Sequence, residues 1–335
     1  MTKHHVSVVM PLHNARAHLQ SARDQLELLD RAVAYEIVVI DDHSTDSTAE
    51  EVLEWVPPPG SSLKVLQSSG RGVAAARNEA LASCSGEFVW FVDADDVWAP
   101  TIVSEMVMAI GDADVVLCNA DKRSRGGDLR GTITDAEDSS VISGDEAFRR
   151  LLGGFVQGHL WNKLFRRSVI PADPFPRTRA HSDLGGVMRI FSSSDRVALL
   201  PRSLYQYMLS TGSILNSSSY NWDDLSRCLD IAAGLVEQRP EIDLARSLCA
   251  FKYRSVVVPI AIELARRRDL LASNELKRLR RLNRSRISAS DLMSGVIDVQ
   301  TAAAVIAVWI SPALFEYVYR SRRSGTWISI SRDTA

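Results

Sequence analysis

The chain has 335 residues, 46% of them hydrophobic and 24% charged, with a formal net charge of −2. That is enough apolar content for one large domain or two modest ones, and the molecule as a whole carries no polyanion-binding signature. The charge is uneven: 15 Lys and Arg face 7 Asp and Glu from residue 251 onward, against 24 basic and 34 acidic residues before it, which indicates two regions with different neighbours. Cys84, Cys118, Cys228 and Cys249 are scattered without a Cys-x-x-Cys pair, so a zinc knuckle or disulfide framework is not expected and a reducing compartment fits. The first residues run straight into a strand-like segment, so no signal peptide is expected. No run of about 20 uncharged apolar residues is present; residues 301–315 come nearest and contain Pro312.

In chain order, residues 6–10 read as a buried strand that ends at Pro11-Leu-His-Asn14, followed by a helical pattern to about residue 29. Residues 35–40 form a second strand ending in Asp41-Asp42-His43-Ser44-Thr45-Asp46, where Ser44 or Asp46 is placed to cap a helix running to Trp55. A short strand over 63–66 leads to Ser68-Ser-Gly-Arg-Gly72 and an alanine-rich helix over 73–82. Strand 88–92, a helix over 100–110 and strand 115–118 complete a strand–helix alternation that predicts right-handed crossovers and a mostly parallel sheet. Polar residues 121–140 read as a mobile loop or edge hairpin. Ser143-Gly-Asp-Glu146 has capping-box spacing for a helix ending near Gly153. Strands are expected over 161–170, 196–200 and 204–207, a helix opens at His181-Ser-Asp183, and a Ser-rich loop covers 210–219. The pattern beyond is helical, which puts a domain boundary near residue 220.

Ligands in such sheets bind outside the carboxyl ends of strands, and each polar signal falls at such an end. The fourth strand is unbroken apolar and aromatic from Phe88 to Val92 and stops in Asp93, Asp95 and Asp96. Two readings fit. The carboxylates share a hard divalent cation and a diphosphate, or they form a polar turn in which Asp96 or its neighbours cap the next helix.

Val6-Ser-Val-Val-Met-Pro-Leu-His-Asn14, Glu36-Ile-Val-Val-Ile-Asp-Asp-His-Ser-Thr-Asp46, Gly72 with Ala76-Arg-Asn78, and Phe91-Val-Asp-Ala-Asp-Asp96 together resemble family 2 glycosyltransferases of GT-A fold. Trp161-Asn-Lys-Leu-Phe-Arg-Arg, Ser182-Asp183 and residues 204–213 extend the resemblance, which covers about residues 5–215. It implies a GT-A nucleotide-sugar-binding catalytic domain over 1–220, a mostly parallel α/β sheet flanked by helices, and a basic helical region over 221–335. It further implies inverting transfer from a nucleotide-diphosphate sugar, most naturally a UDP-sugar, with Mn²⁺ or Mg²⁺ held by Asp95 and Asp93. Pro11, His13, Asn14, Asp42, Ser44, Gly72, Arg77 and Ala94 would line the donor, with Asp93 toward ribose and Asp95 toward metal. Asp41 would be structural. Asp183 occupies the position of the family's aspartate base. The usual Glu before it is Ser182 here, and His181 is a competing base or a helix cap. His13 stands where the family often has Tyr. Trp161 is read either as a sugar platform or as core.

Arg266-Arg-Arg268, Lys277-Arg-Leu-Arg-Arg281, Arg284 and Arg286 lie beside apolar helical positions. They fit a peripheral contact with an anionic membrane that carries a lipid-linked acceptor, or a packed helical domain with a charged face, or a phosphate-rich polymer. Nucleic acid fits least. Residues 296–319 could supply a homo-oligomer contact helix. The expected location is cytoplasmic, on or near the inner face of the cell membrane. Two other functions remain open: a non-catalytic scaffold of degenerate transferase type, motivated by Ser182, and a nucleotidyltransferase. The latter would carry a glycine-rich basic loop after the first strand, unlike residues 11–14.

Overall fold

The computed structural model describes residues 5–209 and 223–321, in two compact units: residues 1–151 with 155–221, and residues 152–154 with 222–335. The first unit is built on one sheet of ten strands: β1 (Val6–Leu12), β2 (Tyr35–Asp41), β3 (Ser62–Gln67), β4 (Phe88–Phe91), β5 (Val97–Trp98), β6 (Val115–Ser124), β7 (Leu129–Ile133), β8 (Val141–Ser143), β9 (Lys163–Arg166) and β10 (Arg196–Leu209). The order is β3-β2-β1-β4-β9-β6-β10-β5, with β7 added to β6 and β8 to β10. β3, β2, β1 and β4 are parallel, as are β6 and β10. β9 runs antiparallel between β4 and β6 and joins the two parallel sets. Helices α1 (Leu19–Leu28), α2 (Thr48–Leu53), α3 (Val73–Ser83), α4 (Ile102–Ile110), α5 (Gly144–Gly153) and α6 (Ser182–Ser192) alternate with the strands.

The apolar runs of β1, β2 and β4 follow from burial on both sheet faces, where alternation would bury polar side chains. Glu36 is the exception. It lies buried in β2 and accepts from Ser7 Oγ at 2.6 Å, Ser85 N at 2.5 Å and Ser85 Oγ at 2.9 Å, with Lys64 Nζ 2.8 Å away. Burial pushes its carboxyl up, but the bonds from Lys64, Ser7 and Ser85 outweigh it and hold the pKa at about 2. A pKa depressed on folding stabilises above the unfolded value of 4.5, and that stability drains as pH falls toward 2. Glu36→Gln should therefore be less stable at neutral pH and lose less than wild type on acidification, read as Tm against pH. Parallel Tm curves for the two proteins would refute the role.

Several elements differ from their sequence expectation. Asp46 accepts from Thr48 N at 3.2 Å at the start of α2, whereas the Ser44 hydroxyl accepts from Asn14 N, so Ser44 caps nothing. For residues 121–140 the edge-hairpin alternative is the one observed: the polar stretch after Cys118 continues as strand, and β6 and β7 pair through Gly126-Gly127. The two strands expected over 196–207 are one strand, β10, whose pairing with β6 shifts register between Leu200 and Tyr205. The Ser-rich loop 210–219 and the boundary near residue 220 lie outside the described residues.

The second unit is helical: α7 (Asp223–Glu237), α8 (Ala245–Phe251), a π-helical turn (Lys252–Val257), α9 (Val258–Arg267), α10 (Ser273–Ser285), α11 (Ala289–Met293), α12 (Val299–Ile310) and α13 (Pro312–Ser321). Tyr253, Val257, Val258, Ala261, Val305 and Val308 form its core. Ser311 and Pro312 split residues 296–319 into two helices, as a proline without an N–H requires. No helix among the described residues is long and apolar enough to cross a membrane. Arg280 pairs with buried Glu316, and Arg266 and Arg267 pair with Glu263. Lys277, Arg278, Arg281 and Arg284 are exposed, with no ion pair among the described residues.

Candidate active site

The carboxyl ends of β1 and β2 are stitched together by short polar side chains. Asn14, in the left-handed region at φ 49°, donates its N–H to Ser44 Oγ at 2.9 Å and accepts from Thr45 N at 2.7 Å through Oδ1. His13 Nδ1 lies 2.6 Å from the Asp42 carbonyl, so Nδ1 carries the proton and Nε2 is free to accept from Asn14 Nδ2 at 3.3 Å. Asp41 accepts from Ser44 N and Gln67 Nε2, fixing the loop from below. Asp42 Oδ1 accepts from Gly72 N at 3.0 Å, which ties this loop to the start of α3. Gly72 has φ 91° and ψ 149°, a conformation open only to glycine. Its amide is thus occupied by Asp42. Pro11 is half-buried in the last turn of β1.

Arg77, 8% exposed on α3, reaches Asp93 Oδ1 at 3.3 Å. Its Nε is buried with no partner among the described residues, so the guanidinium retains hydrogen-bonding capacity. Burial pushes the Asp93 carboxyl up. Arg77 pulls it down, and the charges of Asp95 and Asp183 push it further up. These four side chains therefore share one electrostatic field. Asp95 is exposed and makes no hydrogen bond or ion pair among the described residues, and Ala94 between the two carboxylates is buried. Asp96 differs from both. It is buried, accepts from Tyr205 Oη at 2.8 Å and Met208 N at 2.7 Å, and its carboxyl is pushed well up by burial and by Asp93 and Asp95. Asp96 clamps β10 beneath the turn and does not cap α4, whose N-cap is Thr101.

Asp183 lies in the first turn of α6, half-buried, with Oδ1 accepting from Leu184 N at 2.9 Å. His181 is the N-cap residue, at φ 61°. The sequence reading missed the wall beside Asp183. Trp98, Tyr205, Trp161 and His159 form a ladder of near-parallel rings. Tyr205 and Trp161 are 4.5 Å apart at 11°, and Trp161 and His159 are 4.7 Å apart at 16°. Trp161 is buried between two rings, and Trp90 Nε1 donates to its carbonyl at 2.8 Å, so it is core and not a sugar platform. Tyr207 lies at the edge of the ladder. Burial, then the charges of Asp96, Asp93, Asp95 and Asp183, push its phenol to about 12, so it remains a donor. Under this wall a buried Lys163 binds Asp135 Oδ2 at 3.1 Å and Asn162 Oδ1 at 2.8 Å. No periodicity marks these positions; the Trp-Asn-Lys run alone pointed here.

Asp93 and Asp95 fit a hard divalent cation: both offer oxygen donors, and Asp93 is held under like-charge pressure that a cation would relieve. Among the described residues no three His, Cys, Asp or Glu side chains are arranged to hold a metal alone. One or two carboxylates completed by phosphate oxygens and water is the usual protein site for such an ion.

The family model for glycosyl transferase family 2 matches residues 7–172, which include the β1 and β2 loops, Arg77 and the acidic turn. The chain is 30% identical over 217 residues to the glycosyltransferase YibD of Escherichia coli, covering 62% of each chain. It is 40% identical over 94 residues to the Escherichia coli glucosyltransferase WfgD, covering 28% of this chain and 36% of that one. The match thus spans less than two thirds of these relatives' length. In three dimensions it superposes on residues 1–349 of S. aureus TarS, crystallised with UDP-GlcNAc, with a TM-score of 0.73 at 19% identity, covering 95% of this chain and 92% of that one. That likeness gives the fold, a GT-A sheet followed by a helical region. With the family match and these relatives, the sheet and the loops at its carboxyl edge identify residues 7–172 as a glycosyl transferase family 2 domain.

Proposed function

We propose that the chain is an inverting, metal-dependent glycosyltransferase that moves a sugar from a UDP-sugar to a hydroxyl of a cell-surface polysaccharide, wall polymer or other glycan. The observation that carries this reading is the Arg77–Asp93 pair at 3.3 Å just past the carboxyl end of β4, with the exposed carboxylate of Asp95 two residues on. Two relatives support the substrate class by name. WfgD is a UDP-Glc:alpha-D-GlcNAc-diphosphoundecaprenol glucosyltransferase, and S. aureus TarS is a poly(ribitol-phosphate) beta-N-acetylglucosaminyltransferase. In this reading the loops carrying Pro11, His13, Asn14, Asp42 and Ser44 hold the nucleoside, and Gly72 sets the backbone that brings α3 against it. Arg77, paired with Asp93, is the cation of this edge placed to meet the diphosphate. Asp93 and Asp95 hold Mn²⁺ or Mg²⁺, which when bound neutralises charge on the diphosphate as a Lewis acid. Asp183 takes the proton of the attacking hydroxyl from the opposite side, as inversion requires. The first unit is the donor and catalytic domain. The exposed cations of α10 suit an anionic membrane surface that presents a lipid-linked acceptor.

Isothermal titration with UDP tests the donor site. Mn²⁺ should raise UDP affinity by at least about tenfold, and Asp95→Asn should remove that increment while leaving metal-free binding intact. Equal affinity with and without metal would overturn the metal-dependent reading. Hydrolysis of a UDP-sugar by the purified protein would exclude the non-catalytic scaffold.

A further inference from the structure

We infer that His159, with Tyr207 beside it, forms an acceptor-positioning wall that holds a pyranoside ring so that its hydroxyl faces Asp183. The inference rests on Asp183 being the base of the proposed reaction. Three observations carry it. The loop bearing His159 runs directly against the start of α6: a Cβ built on Gly158 would lie 2.9 Å from Leu184 Cα and 2.7 Å from its Cδ1, so only glycine allows this approach, one residue from Asp183. Among the described residues His159 is held by stacking, 4.7 Å from the Trp161 ring and 6.1 Å from the Tyr207 ring at 26°. Its loop is tethered from below, where Gln157 N donates to Asp135 Oδ1 at 2.9 Å.

The charge state of the ring fits the role. Burial lowers the His159 pKa to about 4; Asp183 pulls upward, Lys163 downward, Asp135 upward and Lys122 downward, and burial prevails. A neutral imidazole beside Asp183 keeps one N–H to donate and one nitrogen to accept, and it does not neutralise the carboxylate by pairing with it. The Tyr207 phenol adds a second donor that stays protonated. An aromatic edge with a few fixed polar atoms is how proteins hold sugar rings. The Ser182–Asp183 segment supplies no second carboxylate for that task.

The test uses the full-length protein with Mn²⁺, the best-hydrolysed donor among UDP-glucose, UDP-galactose and UDP-N-acetylglucosamine, and their methyl β-glycosides as acceptor probes. His159→Phe keeps the ring on Trp161 and removes both nitrogens. It should raise the acceptor KM by about tenfold or more, the loss of one or two hydrogen bonds, with donor KM and donor hydrolysis within about twofold of wild type. His159→Gln, which restores an N–H, should recover part of the loss. An unchanged acceptor KM in His159→Phe overturns the inference, as does a parallel fall in transfer and hydrolysis. So does a wild-type protein on which no glycoside accepts sugar or inhibits hydrolysis. If Asp183→Asn turns over normally, the underlying base assignment fails. If it is inactive while His159→Phe behaves as wild type, only the positioning role fails.

Discussion

Asp183→Asn is expected to lower sugar transfer by about 10³-fold, within the range of 10²–10⁴ typical for loss of a general base, while binding UDP as well as wild type does. The substitution is isosteric, and Asn retains an oxygen to accept from Leu184 N as Oδ1 does at 2.9 Å, so the first turn of α6 is kept. It leaves Arg77, Asp93 and Asp95, which carry the donor side of the site, in place. His181→Ala discriminates the competing base. His181 sits at the N-cap of α6 in the left-handed region without a side-chain cap bond, so its replacement should leave turnover within about tenfold. The checks are kcat with a UDP-sugar and UDP titration on the same samples. Normal turnover by Asp183→Asn would place the base elsewhere, with His181 next in line.

The parts of the fold legible in the sequence are those where one physical constraint acts along a short stretch. β1, β2 and β4 are covered on both faces, so their residues are apolar apart from Ser7, Glu36 and Asp41. Gly72 and the polar residues after each strand mark loops where the backbone leaves the sheet. What escaped depends on partners far apart in sequence. Asp96 looks like its neighbours Asp93 and Asp95, yet a tyrosine 109 positions away gives it a structural task. Ser44 reads as a helix cap, but Asn14, 30 residues earlier, engages its hydroxyl. β10 reads as two strands because Pro201-Arg-Ser203, where its pairing with β6 shifts register, separates two apolar runs. His159 belongs to no regular element, so no pattern predicts that it stacks on Trp161 beside Asp183. Lys163 inverts the usual expectation for lysine, which is almost never fully buried unless paired.

That buried lysine gives the largest stability effect expected of any single change here. Lys163→Met should destabilise the protein by about 3–5 kcal/mol, the cost of leaving one member of a buried ion pair without its partner. Lys163 and Asp135 are both almost fully excluded from water, and the Asp135 carboxylate also accepts from Asn162 Nδ2 at 2.9 Å and Gln157 N at 2.9 Å. Methionine fills the volume of the lysine stem, so the loss reports the uncompensated carboxylate rather than a cavity. Burial pushes the Lys163 pKa down and Asp135 pushes it back up, with burial prevailing. The double variant Lys163→Met/Asp135→Leu should therefore recover much of the stability lost in the single one, because it removes the stranded charge. It should not recover acceptor use, since Asp135 also anchors Gln157 and with it the loop carrying His159. Urea unfolding followed by tryptophan fluorescence measures the first effect, as Trp90, Trp98 and Trp161 all lie near this network. A single-variant loss below about 1 kcal/mol, the value of an exposed pair, would mean that water reaches Asp135 and that its hold on the loop is weak.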